Sequence, residues 1–176
     1  KNAGMAYLNQ KKCEHVFIIE DDIIITNPDV FDVYIDAAKH SGIYHLNFSK
    51  IGHNPVLHST STIDLHEHCQ GAFMYMYRGV INNIGDFDLG FKNAYEHIEW
   101  YYRCAVIGIV PPFWYFPDVK GSENFLEENT NAKTTISGIG NYEANVARSG
   151  EYFHAKWQKY VHEIPKISMQ ALIEIK

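Results

Sequence analysis

The sequence predicts an α/β fold in which helices flank a mixed, mostly parallel sheet. Segments with strand-like patterning alternate along the chain with segments of helical periodicity, which is typical of this class. The run at 15–19, HVFII, is continuously apolar and rich in β-branched residues, the pattern of a strand covered on both faces as in parallel sheets. A length of 176 residues with 46% hydrophobic content suits one domain with a sizeable core.

The first part of the chain carries clear helix signals. Met5 and Leu8 share one face of a helix. Asn27 and Pro28 are typical of a helix start, and Gly42 is typical of a helix end. The expected elements are, in order, a helix at 3–13, a strand at 15–19, a helix at about 28–39, a strand at 43–48 and a loop at 49–62.

The second part of the chain is less regular. Pro111 and Pro112 cannot donate hydrogen bonds to a sheet ladder, so we expect their apolar segment at a sheet edge or as an extended cover. Residues 118–150 are rich in Gly, Ser, Asn and Thr and poorly patterned, which is typical of lids and binding loops. The expected elements are strands at 62–68 and 72–77, helices at 78–84 and 95–107, the edge or cover segment at 110–116, a short helix at 123–128 and a helix at 151–161.

Charge and composition argue against several classes of protein. A formal net charge of -6 and a pI near 5.9 argue against a nucleic-acid partner, which normally requires a basic face. Cys13, Cys69 and Cys104 are too scattered for a disulfide framework or a paired-cysteine zinc site. The sequence contains no transmembrane segment of roughly 18 apolar residues and no signal-peptide pattern. We therefore expect a cytoplasmic protein, either free or peripheral at the inner face of a membrane.

Three acidic residues follow the first strand directly: Glu20, Asp21 and Asp22. The carboxyl edge of a sheet is where open α/β folds bind ligands. Adjacent carboxylates repel one another unless a cation or hydrogen-bond donors compensate. Mg²⁺ and Mn²⁺ accept such oxygen ligands and commonly bridge them to substrate phosphates. The triplet therefore suits a metal diphosphate, and the alternative is an acidic turn that caps the following segment.

Two sequence blocks resemble known glycosyltransferases. Residues 17–22, followed by 28–31, resemble the DXD-type region of glycosyltransferases with the GT-A fold. Residues 82–91, followed by a segment with Glu96, His97 and Arg103, are similar to a late block of glycosyltransferase family 2. The opening Lys-Asn-x-Gly also resembles the segment that precedes the DXD strand in that family, so the resemblance covers roughly residues 1–115.

The resemblance implies a GT-A-like (Rossmann-like) fold and a donor site. We expect a single domain over 1–176 that lacks its opening strand or strands, with a nucleotide and metal half at 1–60 and an acceptor half at 61–165. Carried over residue by residue, the metal ligand is Asp22, and a late histidine, His154, is a second candidate ligand. The donor-binding candidates are Asn2, Glu20, Asp21 and Gly71.

The segment from Glu96 to Arg103 is the candidate acceptor side. Glu96, Glu99 and Arg103 lie at i, i+3 and i+7 on one helix face, with Glu99 and Arg103 close enough to pair. A carboxylate or imidazole can take the proton from an acceptor hydroxyl. His97 stands where the family usually has Asp, so three interpretations stay open: His97 is the base, Glu96 or Glu99 replaces it, or the base is absent. A solvated helix face with one ion pair is the structural alternative.

We therefore expect a metal-dependent hexosyl- or hexosaminyltransferase of the kind used in polysaccharide biosynthesis. The expected donor is a UDP-sugar, the acceptor is a glycan or another hydroxyl compound, and the cofactor is Mn²⁺ or Mg²⁺. An inverting mechanism is expected, with a retaining one left open. The alternatives are a non-catalytic carbohydrate- or nucleotide-binding module and a metal-dependent nucleotidyl or phosphoryl transferase.

The segment at 66–69, His-Glu-His-Cys, has residue types that bind zinc. In a strand, His66 and His68 would lie on one face and Glu67 on the other, and no second ligand pair has metal spacing. A strand that lines the acceptor site is the other interpretation.

Overall fold

The computed structural model describes residues 1–49, 54–92, 94–129 and 141–174. The helices in this part of the chain are α1 (Asn2–Gln10), α2 (Val30–Ser41), α3 (Arg78–Ile84), α4 (Glu96–Val106), α5 (Tyr142–Trp157) and α6 (Met169–Glu174). The strands are β1 (His15–Ile19), β2 (Ile23–Ile25), β3 (His45–Asn47), β4 (Val56–Ser59), β5 (Ile63–His66), β6 (Phe73–Tyr77), β7 (Phe116–Val119) and β8 (Leu126–Glu128). Single 3-10 turns lie at Ser122–Asn124 and Val161–Glu163.

These strands form three small sheets. The central sheet has the order β1-β6-β3, the second pairs β2 with β8, and the third has the order β4-β5-β7. In the central sheet β6 pairs with β1 along its whole length, from His15 opposite Tyr77 to Ile19 opposite Phe73. The opposite edge of β6 pairs with β3.

The predicted GT-A-like (Rossmann-like) fold with a mostly parallel sheet is wrong. Every strand pairing formed by the described residues is antiparallel. β1 and β3 do run in the same direction, but β6 lies between them and runs opposite to both. An apolar run indicates that a strand is covered on both faces. It does not indicate the direction of the neighbouring strand.

The central sheet is covered on both faces, which explains its apolar strands. Phe73 and Tyr75 of β6 pack into one buried cluster with Tyr34 of α2. Met74 and Met76 alternate with them and pack into a second cluster with Trp100 of α4. The side chains of one strand therefore contribute to two cores, one on each face of the sheet.

Local patterning predicted some elements well and missed others. The helix at α1, the strand at β1 and the helices α3 and α4 agree with the expected segments to within a few residues. β2, β4 and β8 were not expected, and β8 falls where a short helix was predicted. These are strands of three or four residues, and β2 and β8 are stabilised by pairing with each other across about 100 residues of chain, which no local period reveals.

The C-terminal region also differs from the expectation. α5 begins at Tyr142, nine residues before the predicted helix start at Glu151. Parts of the predicted loops, at 50–53 and 130–140, lie outside the described residues. Among the helices of the described ranges, none combines the length and the apolar character that a membrane span requires.

Asp118 has a fully buried carboxyl group that joins three parts of the fold. One of its oxygens accepts hydrogen bonds from the Tyr34 hydroxyl at 2.6 Å and from the Val119 N–H at 2.7 Å. The other accepts from the Ser49 N–H at 2.9 Å and from the Ser122 hydroxyl at 2.7 Å. Burial raises the pKa of Asp118 to about 7, and the four donors oppose this shift without cancelling it.

We predict that Asp118 makes the unfolding free energy fall as pH rises from about 4 to about 7. Over this window the folded state retains a proton on Asp118, with a pKa of about 7, that the unfolded chain has already released. Asp118→Asn should remove this pH dependence and also lower the unfolding free energy by about 1–3 kcal/mol, because an amide cannot accept all four bonds. Urea denaturation between pH 4.5 and 8 measures both effects.

The control is Asp36→Asn, since the Asp36 side chain is exposed and lies 3.7 Å from the Lys39 ammonium. This variant should keep the wild-type slope of stability against pH. An Asp118→Asn protein with that same slope would contradict the role given to Asp118.

Candidate functional site

The end of β1 lies beside the start of β6. The Glu20 N–H donates a hydrogen bond to the Ala72 carbonyl at 2.8 Å, which extends the antiparallel ladder by one pair beyond Ile19. The first acid of the triplet is therefore held next to the short segment that leads from Gly71 into β6.

Gly71 allows the first turn of α4 to approach this segment closely. Its φ of +69° is a conformation that favours glycine. A Cβ at this position would lie 2.5 Å from Cγ of His97. The imidazole of His97 therefore packs directly on the Gly71 backbone, which brings α4 to the end of β1.

Lys1 joins the strand end to the helix. Its ammonium lies 2.7 Å from Oε1 of Glu20 and 3.0 Å from Oε1 of Glu96. We call Lys1, Glu20, Gly71, Glu96 and His97 the bridged cluster. It unites four of the predicted site residues with Lys1, which the sequence alone does not mark as a site residue.

The charges of the bridged cluster are mutually stabilising. Burial alone would lower the pKa of the Lys1 ammonium, but Glu96 and Glu20 outweigh burial and raise this pKa. Burial alone would raise the pKa of Glu96, but the neighbouring His97 imidazole and the Lys1 ammonium lower it instead. Lys1 is therefore a cation and Glu96 an anion at neutral pH.

His97 is held as a neutral imidazole with a defined orientation. Its Nε2 lies 3.3 Å from the Cys69 carbonyl, so the Nε2–H donates there and the lone pair is on Nδ1. Burial lowers the pKa of His97, an effect reinforced by Lys1 and opposed by Glu96. An imidazole in this state can accept a proton at neutral pH.

Asp22 differs from the other two acids of the triplet. Asp21 is exposed, whereas Asp22 is half-buried, and its Oδ1 atom is buried and accepts no hydrogen bond from the described residues. The backbone carbonyl of Asp22 accepts a hydrogen bond from the Asn129 N–H at 2.7 Å, which fixes the turn between β1 and β2. A buried carboxylate oxygen without a donor suits a hard cation such as Mg²⁺ or Mn²⁺.

The described residues supply few ligands for such an ion. In the described part of the chain, no group of three or more His, Cys, Asp and Glu side chains is arranged to hold a metal. His154, the second predicted ligand, lies on α5 with its ring stacked on Tyr160 at 4.1 Å between centroids.

Asn2 has a structural contact that the sequence did not predict. Its side-chain amide donates to the Phe87 carbonyl at 2.7 Å and accepts from the Phe87 N–H at 2.9 Å. Both polar ends of the amide are therefore engaged by the turn that precedes α4. The expected donor-binding role of Asn2 stays a prediction.

Glu99 is completely buried in an ion network. Its Oε2 accepts from Arg103 at 3.1 Å, as the helical spacing predicted, and its Oε1 accepts from Lys156 of α5 at 2.7 Å. Arg103 also donates to the carbonyls of Ile84 and Asp86 at 2.5 and 2.7 Å. Glu99 thus connects α4, α5 and the turn before α4, and its contacts are those of a structural residue.

The segment at 66–69 does not assemble a zinc site among the described residues. β5 ends at His66, which is buried and whose Nδ1 lies 3.3 Å from the Asn54 carbonyl. His68 is exposed beyond the strand end, and burial raises the pKa of the Cys69 thiol to about 12. The two histidines therefore do not share a strand face.

A scan against protein-family models finds no family that matches this chain, and a search of the curated proteins finds no match. The family suggested by the two sequence blocks therefore stays a prediction.

We predict that Gly71→Ala destabilises the protein more than Gly42→Ala does. Both glycines have a positive φ, +69° and +73°, so each alanine costs about 1–2 kcal/mol of backbone strain. Only the Gly71 substitution also collides with His97, which should add about 1–3 kcal/mol. Chemical denaturation of the two variants measures the difference, and equal losses would contradict the contact between Gly71 and His97.

We also predict that Glu99→Gln lowers the unfolding free energy by about 3 kcal/mol, because it leaves Lys156 and Arg103 without their shared buried partner. Glu143→Gln, at an exposed position in the first turn of α5, is the matched control and should change stability little. A Glu99→Gln protein of wild-type stability that has lost a measured activity would instead identify Glu99 as the base.

Proposed function

We propose that this protein is a metal-dependent glycosyltransferase that moves a sugar from a nucleoside diphosphate sugar to a hydroxyl acceptor. The observation that carries the proposal is the buried Oδ1 of Asp22, which accepts no hydrogen bond from the described residues. Asp22 lies in the short turn between the apolar strand β1 and β2. A buried carboxylate oxygen that accepts no hydrogen bond is expected at a site that a cation completes. The similarity of the two sequence blocks to glycosyltransferase family 2 supports the same reaction class.

Asp22 is the residue we expect to hold Mn²⁺ or Mg²⁺, together with oxygens of the donor diphosphate. When bound, the ion neutralises the charge that develops on the departing nucleoside diphosphate. Glu20 and Asp21 flank Asp22 and are expected to face the nucleotide. The donor is expected to be a UDP-sugar.

His97 is the residue that we propose as the base. In the transfer, the acceptor oxygen attacks the anomeric carbon, the bond from that carbon to the diphosphate oxygen breaks, and the hydroxyl proton passes to Nδ1 of His97. The hydrogen bond from Nε2 to the Cys69 carbonyl, at 3.3 Å, keeps the lone pair on Nδ1. The Glu96 carboxylate, next to it in the chain, would stabilise the imidazolium that forms.

We predict that Asp22→Asn lowers the Mn²⁺-dependent turnover of a UDP-sugar by about 100-fold or more, since an amide is a poor replacement for an ionised ligand. The measurement is release of UDP from a panel of UDP-sugars, with and without a hydroxyl acceptor, over a range of Mn²⁺ concentrations. Asp32→Asn is the matched control, because Asp32 is an exposed acid in the first turn of α2 and carries the same charge change.

Equal turnover and equal Mn²⁺ dependence in wild type and Asp22→Asn would overturn the proposal. Donor binding without turnover by the wild type would favour a non-catalytic binding module. Cleavage between the two phosphates, instead of at the sugar carbon, would identify a nucleotidyl or phosphoryl transferase.

A further inference from the structure

Lys1 occupies a central position that the proposed reaction does not yet use. Its ammonium lies between carboxylates of two different elements, 2.7 Å from Glu20 at the end of β1 and 3.0 Å from Glu96 at the start of α4. The same ammonium lies 5.7 Å from the centroid of the Phe87 ring. The next residue, Asn2, fixes this position by its two hydrogen bonds to the Phe87 backbone.

The two carboxylate oxygens of Glu96 lie in different environments. Oε1 accepts a hydrogen bond from Lys1, whereas Oε2 is buried and accepts none from the described residues. The Glu96 side chain is only 20% exposed and the Lys1 side chain 23%, so solvent screens their interaction weakly. The electrostatic effect of this ion pair on neighbouring titratable groups is therefore stronger than that of an ordinary surface ion pair.

We infer that Lys1 is a positioning residue for the proposed transfer. Its ammonium holds Glu96 against the end of β1 and sets the charge balance around His97. This inference rests on the proposed function, because His97 matters only if it accepts the proton. Lys1 itself need not touch the acceptor.

Among the described residues, the charged groups around His97 are Lys1 at the N-cap of α1, Glu20 at the end of β1 and Glu96 of α4. The titratable His45 of β3 also interacts with His97, and burial lowers the pKa of His45 to about 4. Lys1 lowers the pKa of His97, while Glu96 and Glu20 raise it. Lys1 also contributes to the lowered pKa of Glu96. Removing the ammonium therefore raises both pKa values, and the acidic limb of the pH–rate profile should move to higher pH whichever group accepts the proton.

The test compares Lys1→Met with Lys1→Arg and with Lys11→Met. Lys1→Met removes the charge from the bridge, Lys1→Arg keeps it, and Lys11→Met removes a charge from the end of α1, where Lys11 packs over Tyr7. Two readouts are measured: the NMR titration of the His97 ring in the full chain without substrate, and the pH dependence of UDP-sugar turnover. We expect Lys1→Met to shift both to higher pH, and the other two variants to stay close to wild type.

A second variant keeps the inference testable if Lys1→Met does not fold. Glu20→Gln removes a negative charge from the same bridge and should move the His97 titration to lower pH. A wild-type titration in both Lys1→Met and Glu20→Gln would overturn the inference. An upward shift of the His97 titration with an unchanged pH–rate profile would overturn the positioning role.

The two readouts separate this inference from the proposed function. The NMR titration requires no turnover, so a shift in Lys1→Met without activity on any donor would count against the glycosyltransferase proposal and for the charge bridge. Turnover with no shift of either readout would support the glycosyltransferase and reject the role of Lys1.

Discussion

The candidate site depends on the antiparallel pairing of β1 with β6. That ladder ends with the hydrogen bond from the Glu20 N–H to the Ala72 carbonyl, and so it aligns the acidic triplet with the turn at Gly71. Because Gly71 lacks a side chain, His97 can pack on its backbone and bring the first turn of α4 to the same place. A change of one residue in this register would turn the side chains of β1 to the opposite face and separate the acids from the helix.

Electrostatics distinguish the members of the site. Glu20 and Glu96 share the Lys1 ammonium, and Glu99 has Arg103 and Lys156. Asp22 has a buried oxygen that accepts no hydrogen bond from the described residues. Burying such an unpaired oxygen lowers the stability of the folded protein by about 1–3 kcal/mol, and by more if the group is charged, unless a ligand binds to it. Glu20, Glu96 and Glu99 each pair with a cation, whereas no cation among the described residues pairs with Asp22. This contrast is the reason that we assign the metal ion to Asp22.

Sequence reasoning succeeded where the interaction is local and failed where it is distant. The pair of Glu99 and Arg103 follows from helical spacing, and β1 follows from its apolar run. Lys156 meets Glu99 across 57 positions and Lys1 meets Glu96 across 95, and no local period encodes such contacts. The direction of β6 was also missed. A strand that is buried on both faces has the same apolar pattern whether its neighbours are parallel or antiparallel.

The central claim is that the acidic triplet and His97 border one cation and diphosphate site. Paramagnetic broadening by Mn²⁺ in the presence of uridine diphosphate measures this directly. The account predicts that the amide signals of Asp22 and Gly71 and the ring signals of His97 broaden together at low Mn²⁺, and that exposed Asp36 is unaffected. Broadening at Asp36 and other exposed acids, with sharp signals at Asp22 and His97, would contradict it.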